Sequence, residues 1–324
     1  MLQVGLGPLG IKIAGDLERR RLGRVVAAVD PALAGKPLAA VLAGADAGVH
    51  VAAAIADVTA EVDVAIVATV SDLPACAPTL HELAARGISA VSTCEELSWP
   101  WDRHPELARE LAQVAEAHGA RLLGTGVNPG FVMDALAIAV TTACAAVRRI
   151  EVQRVQDATT RRLPFQKKIG ATLAVAEFER LAAAGTIRHV GLRESVAMVA
   201  AALGFALERV DETIAPVVAD TDMTCGLGAI ARGAARGVHQ EARGYAAGGR
   251  EVIALIFRAA IGEPEPRDRV IVDGDPPVDL VIPNGLHGDV ATSAMVLNSI
   301  RSLLAARPGL HTMTTLPLAG CAPA

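Results

Sequence analysis

The chain has 324 residues, enough for two domains of ordinary size, and its 52% hydrophobic share can fill a core in each. Aromatic residues make up only 2%, so alanine, valine and leucine must do most of the packing. A net charge of -5 excludes a general electrostatic attraction to nucleic acid or to an anionic membrane.

Cys76, Cys94, Cys144, Cys225 and Cys321 are scattered, with no C-x-x-C pair. That spacing favours reduced thiols in a cytoplasmic protein over a disulfide framework or a structural zinc. The opening residues do not read as a signal peptide. The apolar runs Val132–Val147 and Ser195–Leu207 are too short for a membrane span, and the first contains Asp134.

Short β-rich runs alternate with helical stretches in the first third. Leu2–Gly5 reads as a strand, kept short by its start at Met1, and runs into a glycine-rich turn. Ile11–Arg21 follows as a helix, and Arg24–Asp30 as a strand ending in an acid. Val62–Val70 is apolar throughout, as expected of a strand buried on both faces. Leu73–Arg86 (helix), Ile88–Thr93 (strand), Pro105–His118 (helix) and Arg121–Val127 (strand) continue the alternation. The pattern predicts an α/β Rossmann domain over residues 1–127, a doubly wound parallel sheet.

The pattern changes after residue 128. Met133–Val147 reads as one long apolar helix. Strands are expected at Ile150–Gln156, Leu207–Val218, Arg236–Tyr245, Glu251–Ala260 and Arg269–Val272. Helices are expected near Leu173–Ala184 and Ser195–Gly204, and Arg161–Gly170 reads as a basic loop. Most of these strands follow one another without helices, which predicts a second, α+β domain over 128–287 on a mostly antiparallel sheet. The final helix, 288–306, is expected to pack back on the first domain.

Gly5-Leu6-Gly7-Pro8-Leu9-Gly10 matches G-x-G-x-x-G between a predicted strand and a predicted helix. Gly5 permits the tight turn, Gly7 admits a pyrophosphate to the backbone, and Gly10 lets helix and strand pack closely. Pro8 and Leu9 open the helix whose N-terminus faces the phosphates. Asp30 stands where a carboxylate accepts hydrogen bonds from the adenosine ribose. It repels a 2′-phosphate, so NAD is favoured, with NADP open through Lys36. Thr69 and Ser71 end the strand Val62–Val70 at the expected ligand crevice. They read equally as cofactor contacts or, with Asp72, as the cap of the next helix.

Glu95, in Ser92-Thr93-Cys94-Glu95-Glu96-Leu97, follows another strand at the same edge. A carboxylate there suits general base work. The alternative is that Glu95 and Glu96 are first-turn acids that complement a helix dipole. Cys94 reads as a buried, inert thiol. Asn128, before Pro129, suits either a substrate contact or a turn. The dispersed histidines give no metal site.

Gly5–Gly10, Ser92–Leu97, Asn128-Pro129-Gly130-Phe131, Arg161–Gly170 and Gly288–Leu310 together resemble the 2,4-diaminopentanoate dehydrogenase family, which includes native amine dehydrogenases. Their N-terminal domain is similar to that of dihydrodipicolinate reductases, whose own second-domain histidine and lysine signature is absent here. The resemblance implies reversible oxidative deamination: an amine, NAD(P)+ and water give a carbonyl, ammonia and NAD(P)H. It implies that Glu95 is catalytic, that Asn128, Arg154 and Gln156 face the substrate, and that the protein is a homodimer pairing through its second domain. Two rival readings stay open. One is another Rossmann oxidoreductase, such as an amino-acid or alcohol dehydrogenase. The other is a non-catalytic NAD(H)-sensing protein.

Overall fold

Strands that are apolar on both faces can only lie inside a sheet covered on both sides, and the first third of the chain forms such a sheet. A computed structural model describes residues 1–321. One unit comprises Met1–Phe131 and the chain from His287 onward, and the other is Val132–Leu286.

The first unit holds β1 (Leu2–Val4), β2 (Ala27–Val29), β3 (Val51–Ala52), β4 (Val64–Val67), β5 (Ser89–Ser92), β6 (Arg121–Gly124) and β15 (Gly309–His311). They pair in the order β15-β6-β5-β4-β1-β2-β3, all parallel. This is the doubly wound Rossmann topology, with the order reversing between β1 and β4. Its helices are α1 (Pro8–Arg19), α2 (Leu73–Ala85), α3 (Pro105–Ala117) and α8 (Gly288–Ala305). Pro8, Pro74 and Pro105 each sit in the first turn of their helices, where a missing N–H costs nothing. Leu80, Leu83, Leu97, Leu111 and Leu122 are fully buried in one core cluster, each contributing about 2 kcal/mol by leaving water.

α8 packs beside α1 and against β5 and β6. Ser293 donates to Asp16 Oδ2 at 2.6 Å, Arg20 donates to Asn298 at 2.7 Å, and the amide of Val127 donates to Thr292 Oγ1 at 3.2 Å.

The second unit carries β7 (Ala146–Asp157), β8 (Arg209–Val218), β11 (Ala235–Ala246), β12 (Arg250–Ala260), β13 (Arg267–Asp275) and β14 (Val278–Pro283), with a small hairpin of β9 (Met223–Cys225) and β10 (Gly228–Ile230). The main order is β14-β13-β7-β12-β11-β8, antiparallel except for the β7–β12 pair. Helices α4 (Ala135–Thr141), α5 (Leu163–Lys168), α6 (Val175–Ala183) and α7 (Leu192–Leu203) complete it. Alternation along β7 buries Ile150, Val152 and Arg154 on one face and leaves Arg149, Glu151 and Gln153 half-buried on the other.

Two expectations are corrected. The helix expected over Met133–Val147 is only Ala135–Thr141. Asp134, wholly buried, caps its start by accepting from the Ala135 amide at 2.6 Å and from Ser195 Oγ at 2.8 Å. Thr141 and Thr142 turn their hydroxyls back onto Ile138 and Ala139 carbonyls, and Ala146 and Val147 are drawn into β7 by pairing with Asp275 and Gly274. The basic stretch Arg161–Gly170 contains α5 rather than an open loop. Gln166, buried, donates to the carbonyls of Ala158, Thr159 and Arg161, and Arg161 stacks over Phe165 at 4.1 Å.

No helix among the described residues is long and apolar enough to cross a membrane.

Candidate active site

Four loops leave the carboxyl ends of neighbouring strands in the first unit. β1 runs into Gly5, β4 into Thr69, β5 into Glu95 and β6 into Asn128. Adjacent strands lie about 4.8 Å apart, so the strand leading to Glu95 stands about 10 Å from the one leading to Gly5. Ligands of doubly wound sheets bind along this edge, at the switch between β1 and β4.

Gly5 adopts φ +87°, and a Cβ on it would meet the Ala68 carbonyl oxygen at 2.5 Å. A Cβ on Gly10 would meet the Gly5 oxygen at 2.1 Å, whereas one on Gly7 would meet nothing within 4 Å. Gly7 caps α1 without a side chain, and Pro8 and Leu9 begin the helix. The amides of Leu9 and Gly10 have no acceptor within the helix and carry its positive dipole end. A cavity of about 500 Å³ adjoins this turn, lined among others by Gly5, Gly7, Asp30, Thr69, Thr79 and Glu82. An open glycine at a helix N-terminus and the acid Asp30 around one cavity fit the pyrophosphate and ribose of a dinucleotide.

Asp30 accepts from the Leu6 amide at 2.8 Å and from the Ala32 amide at 3.0 Å, one bond to each oxygen. Each oxygen keeps a second lone pair for a ribose hydroxyl. Among the described residues no lysine or arginine lines the cavity, and Lys36 is exposed outside it.

Thr69 lines the cavity. Ser71 does not, and its carbonyl instead accepts from Cys94 Sγ at 3.2 Å and from the Glu96 amide at 3.3 Å. The cap of α2 is Asp72, whose Oδ1 accepts from the Ala75 amide at 2.9 Å.

Glu95 is half-buried at the start of a 3-10 turn, Glu95–Ser98, held by Ser98 Oγ donating to the Glu95 carbonyl at 2.7 Å. Glu96 is 2% exposed. Its Oε2 accepts from the Leu73 amide at 2.9 Å and lies 3.0 Å from His104 Nε2, and its Oε1 lies 3.3 Å from Arg103. Glu96 therefore complements a helix N-terminus, that of α2 and not of its own turn.

Cys94 is buried against Cys76. The hydrogen bond it shares with Cys76, and then burial, push its thiol far above the ordinary range, so it is not a thiolate nucleophile. Asn128 is buried in the loop after β6, where the Thr125 amide donates to the Ser92 carbonyl at 2.9 Å and so fixes the loop beside β5.

Arg154 and Gln156 lie on β7 of the second unit. Arg154, 2% exposed, donates through Nη1 to both oxygens of Asp268, at 2.9 and 2.7 Å, and through Nη2 to the Leu286 carbonyl at 2.9 Å. Burial pushes the Arg154 guanidinium down and the Asp268 carboxyl up, and their mutual attraction opposes both. Gln156 donates to the Leu286 carbonyl at 3.2 Å and accepts from Arg161 at 3.1 Å. In the same unit the ring of His189 stacks on Phe257 at 4.4 Å, and its backbone pairs with Gln240 through bonds of 2.7 and 3.1 Å.

Thr79, Glu82 and the His189–Phe257 stack are absent from the sequence reading of the site, and Glu96 reads there only as a first-turn acid. Glu96 alone had a local signal, its place beside Glu95. Thr79 and Glu82 look like ordinary half-buried helix positions until α2 is folded over the cavity.

A parallel sheet of this order, with a glycine turn and an acid around a cavity at its switch point, is the arrangement of a Rossmann dinucleotide-binding domain. A model of the 2,4-diaminopentanoate dehydrogenase C-terminal domain matches residues 131–323. The 2,4-diaminopentanoate dehydrogenase of Acetoanaerobium sticklandii is 34% identical over 238 residues, 71% of this chain and 67% of that protein. The chain belongs to the 2,4-diaminopentanoate dehydrogenase family. The amine dehydrogenase from Mycobacterium smegmatis shares the fold at a TM-score of 0.86 and 22% identity, over 99% of this chain and 96% of that one. So does the WlbA dehydrogenase from Bordetella pertussis in complex with NADH and UDP-GlcNAcA, at 0.50 and 15%, over 87% and 77%. By its family the protein is an oxidoreductase of the amine dehydrogenase class.

Proposed function

We propose that the protein interconverts a primary amine on a short aliphatic chain with the corresponding carbonyl and ammonia, using NAD in preference to NADP. The observation that carries this reading is the half-buried carboxylate of Glu95 on the strand edge that also presents the Gly5–Gly10 turn, two strands away. In the oxidative direction the neutral amine, NAD+ and water give the ketone or aldehyde, ammonium and NADH, so atoms and charge balance.

A dinucleotide held by this turn and acid would supply the hydride acceptor in one direction and the hydride donor in the other. Glu95 serves the proton side. It removes a proton from water as that oxygen adds to the iminium carbon, and from ammonium in the reverse reaction. Its charge also stabilises the positive nitrogen of the iminium. The first-turn amides of α1 and the Asp30 carboxylate hold pyrophosphate and ribose, and Thr69 closes the same cavity. Asn128 orients the reacting groups beside Glu95. Arg154 and Gln156 serve the substrate side by ordering the Leu286 carbonyl they share.

The second sheet supports a homodimer. Its open face carries Arg149, Glu151, Glu241, Arg243 and Glu251, already joined by ion pairs of 2.6–2.8 Å. A face of mixed, mutually paired charges suits an isologous contact with its own copy. The dispersed cysteines support a cytoplasmic protein.

The test is NAD+ reduction with 2,4-diaminopentanoate, together with NADH oxidation by ammonium plus a panel of short ketones and aldehydes. Glu95→Gln should abolish both while NADH still binds. Turnover retained in that variant rules the role out, and NADH loss without ammonium would show carbonyl reduction instead.

A further inference from the structure

Cys94 and Glu96 flank Glu95, and both are tied to the segment Ser71–Leu73. Cys94 Sγ and the Glu96 amide bond the Ser71 carbonyl at 3.2 and 3.3 Å, and the Leu73 amide donates to Glu96 Oε2 at 2.9 Å. The same carboxylate grips the chain beyond the turn through His104 at 3.0 Å and Arg103 at 3.3 Å. Two residues before Ser71 stands Thr69, which lines the dinucleotide cavity.

We propose that Glu96 is a positioning residue whose buried carboxylate couples occupancy of the dinucleotide cavity, through the Thr69–Leu73 segment, to the placement of Glu95. The inference rests on the catalytic reading of Glu95 for its consequence, but the coupling itself is independent of it. Charge-assisted bonds to an amide and two basic side chains are stronger than neutral ones, and they shorten the slack between the two loops. A neutral amide in place of Glu96 accepts through one oxygen only and turns an NH2 toward a donor. The turn then keeps its chain path but loses its register with the cofactor segment. Misplacement of a reacting group by about 1 Å costs about 10²-fold in rate, without a matching loss of cofactor affinity.

The experiment is hydrogen exchange by mass spectrometry on the full chain, with and without NADH, beside fluorescence titration of NADH. In the unmodified protein NADH should slow exchange in Thr93–Ser98 as well as in Gly5–Gly10. In Glu96→Gln, NADH should still bind and protect Gly5–Gly10, while the protection of Thr93–Ser98 is lost. With the amine as substrate, kcat should fall by about 10²-fold with KM little changed. A merely structural role would lower the melting temperature and leave the NADH-induced protection of both peptides intact. Protection of Thr93–Ser98 that survives in Glu96→Gln, or that never appears in the unmodified protein, overturns the proposal. If Glu96→Gln does not fold, Glu96→Asp keeps the charge but is one methylene too short to hold the Leu73 amide and the His104–Arg103 pair at once, and it reads the same coupling. Reduced protection of the turn supports the proposal and full protection overturns it. Glu95→Gln serves as control, because it should keep the NADH-induced protection. Its turnover reports the catalytic reading separately.

Discussion

Asp30 Oδ2 accepts the amide proton of Leu6 at 2.8 Å, so the acid that ends β2 also holds the glycine turn that ends β1. The residue expected to read the ribose is thus part of the frame that receives the phosphates. Asp30→Ser should weaken NADH binding by about tenfold, roughly 1.4 kcal/mol, and narrow the preference for NADH over NADPH, since a negative charge is removed from the cavity. Fluorescence titration with both cofactors measures this. Equal affinity for the two cofactors in the unmodified protein would refute the NAD preference.

Gly7 and Gly10 make opposite predictions. A methyl on Gly10 runs into the Gly5 carbonyl oxygen, backbone against backbone, so Gly10→Ala should destabilise the fold by about 3 kcal/mol. Gly7→Ala meets no protein atom within 4 Å, so the melting temperature should hold while NADH affinity falls. Thermal melts and NADH titration of both variants separate packing from ligand approach.

The Arg154–Asp268 pair is buried on both sides. Arg154→Met leaves the Asp268 carboxylate without its cation and should cost about 3–5 kcal/mol, whereas Arg154→Met combined with Asp268→Leu should recover most of it. Burial already raises the Asp268 carboxyl in the folded chain. A raised folded value means that stability is lost as pH rises through it, so the deficit of Arg154→Met should shrink as the pH is lowered toward that of an unfolded aspartate. Denaturant titrations at several pH values check both statements.

Asp16 joins α1 to α8. Burial works to raise its carboxyl, but hydrogen bonds from Arg19, Lys12 and Ser293 outweigh it and bring the group from 3.8 to about 2. A lowered folded value gives stability that is present above 3.8 and is lost as pH falls from there through about 2. The gap in melting temperature between the unmodified protein and Asp16→Asn should therefore be constant at neutral pH and close in that acid window.

The strands of the first unit were legible because a strand buried on both faces must be apolar along its length, as Val64–Val67 is. The contrast is the Met133–Val147 run. Apolar composition there gave no length, because a helix and a buried strand use the same residues. The end at Thr141 depends on threonine hydroxyls returning to carbonyls, and on β13 claiming Ala146 and Val147. Arg161 reads as part of a basic loop for a similar reason, since composition alone does not fold the turn that brings Phe165, four residues on, beneath its guanidinium.

Those parts of the site made by one continuous stretch were already written in the order of the residues. Gly5, Gly7 and Gly10 lie within six residues, and the chemistry of a strand-turn-helix is local. The long-range partners came only with folding: Leu73 for Glu96, Asp268 for Arg154, and Thr79 and Glu82 at the cavity. A hydrogen bond is short-ranged and directional, so its partner is set by where the whole sheet brings two side chains and not by either residue's neighbours in the chain.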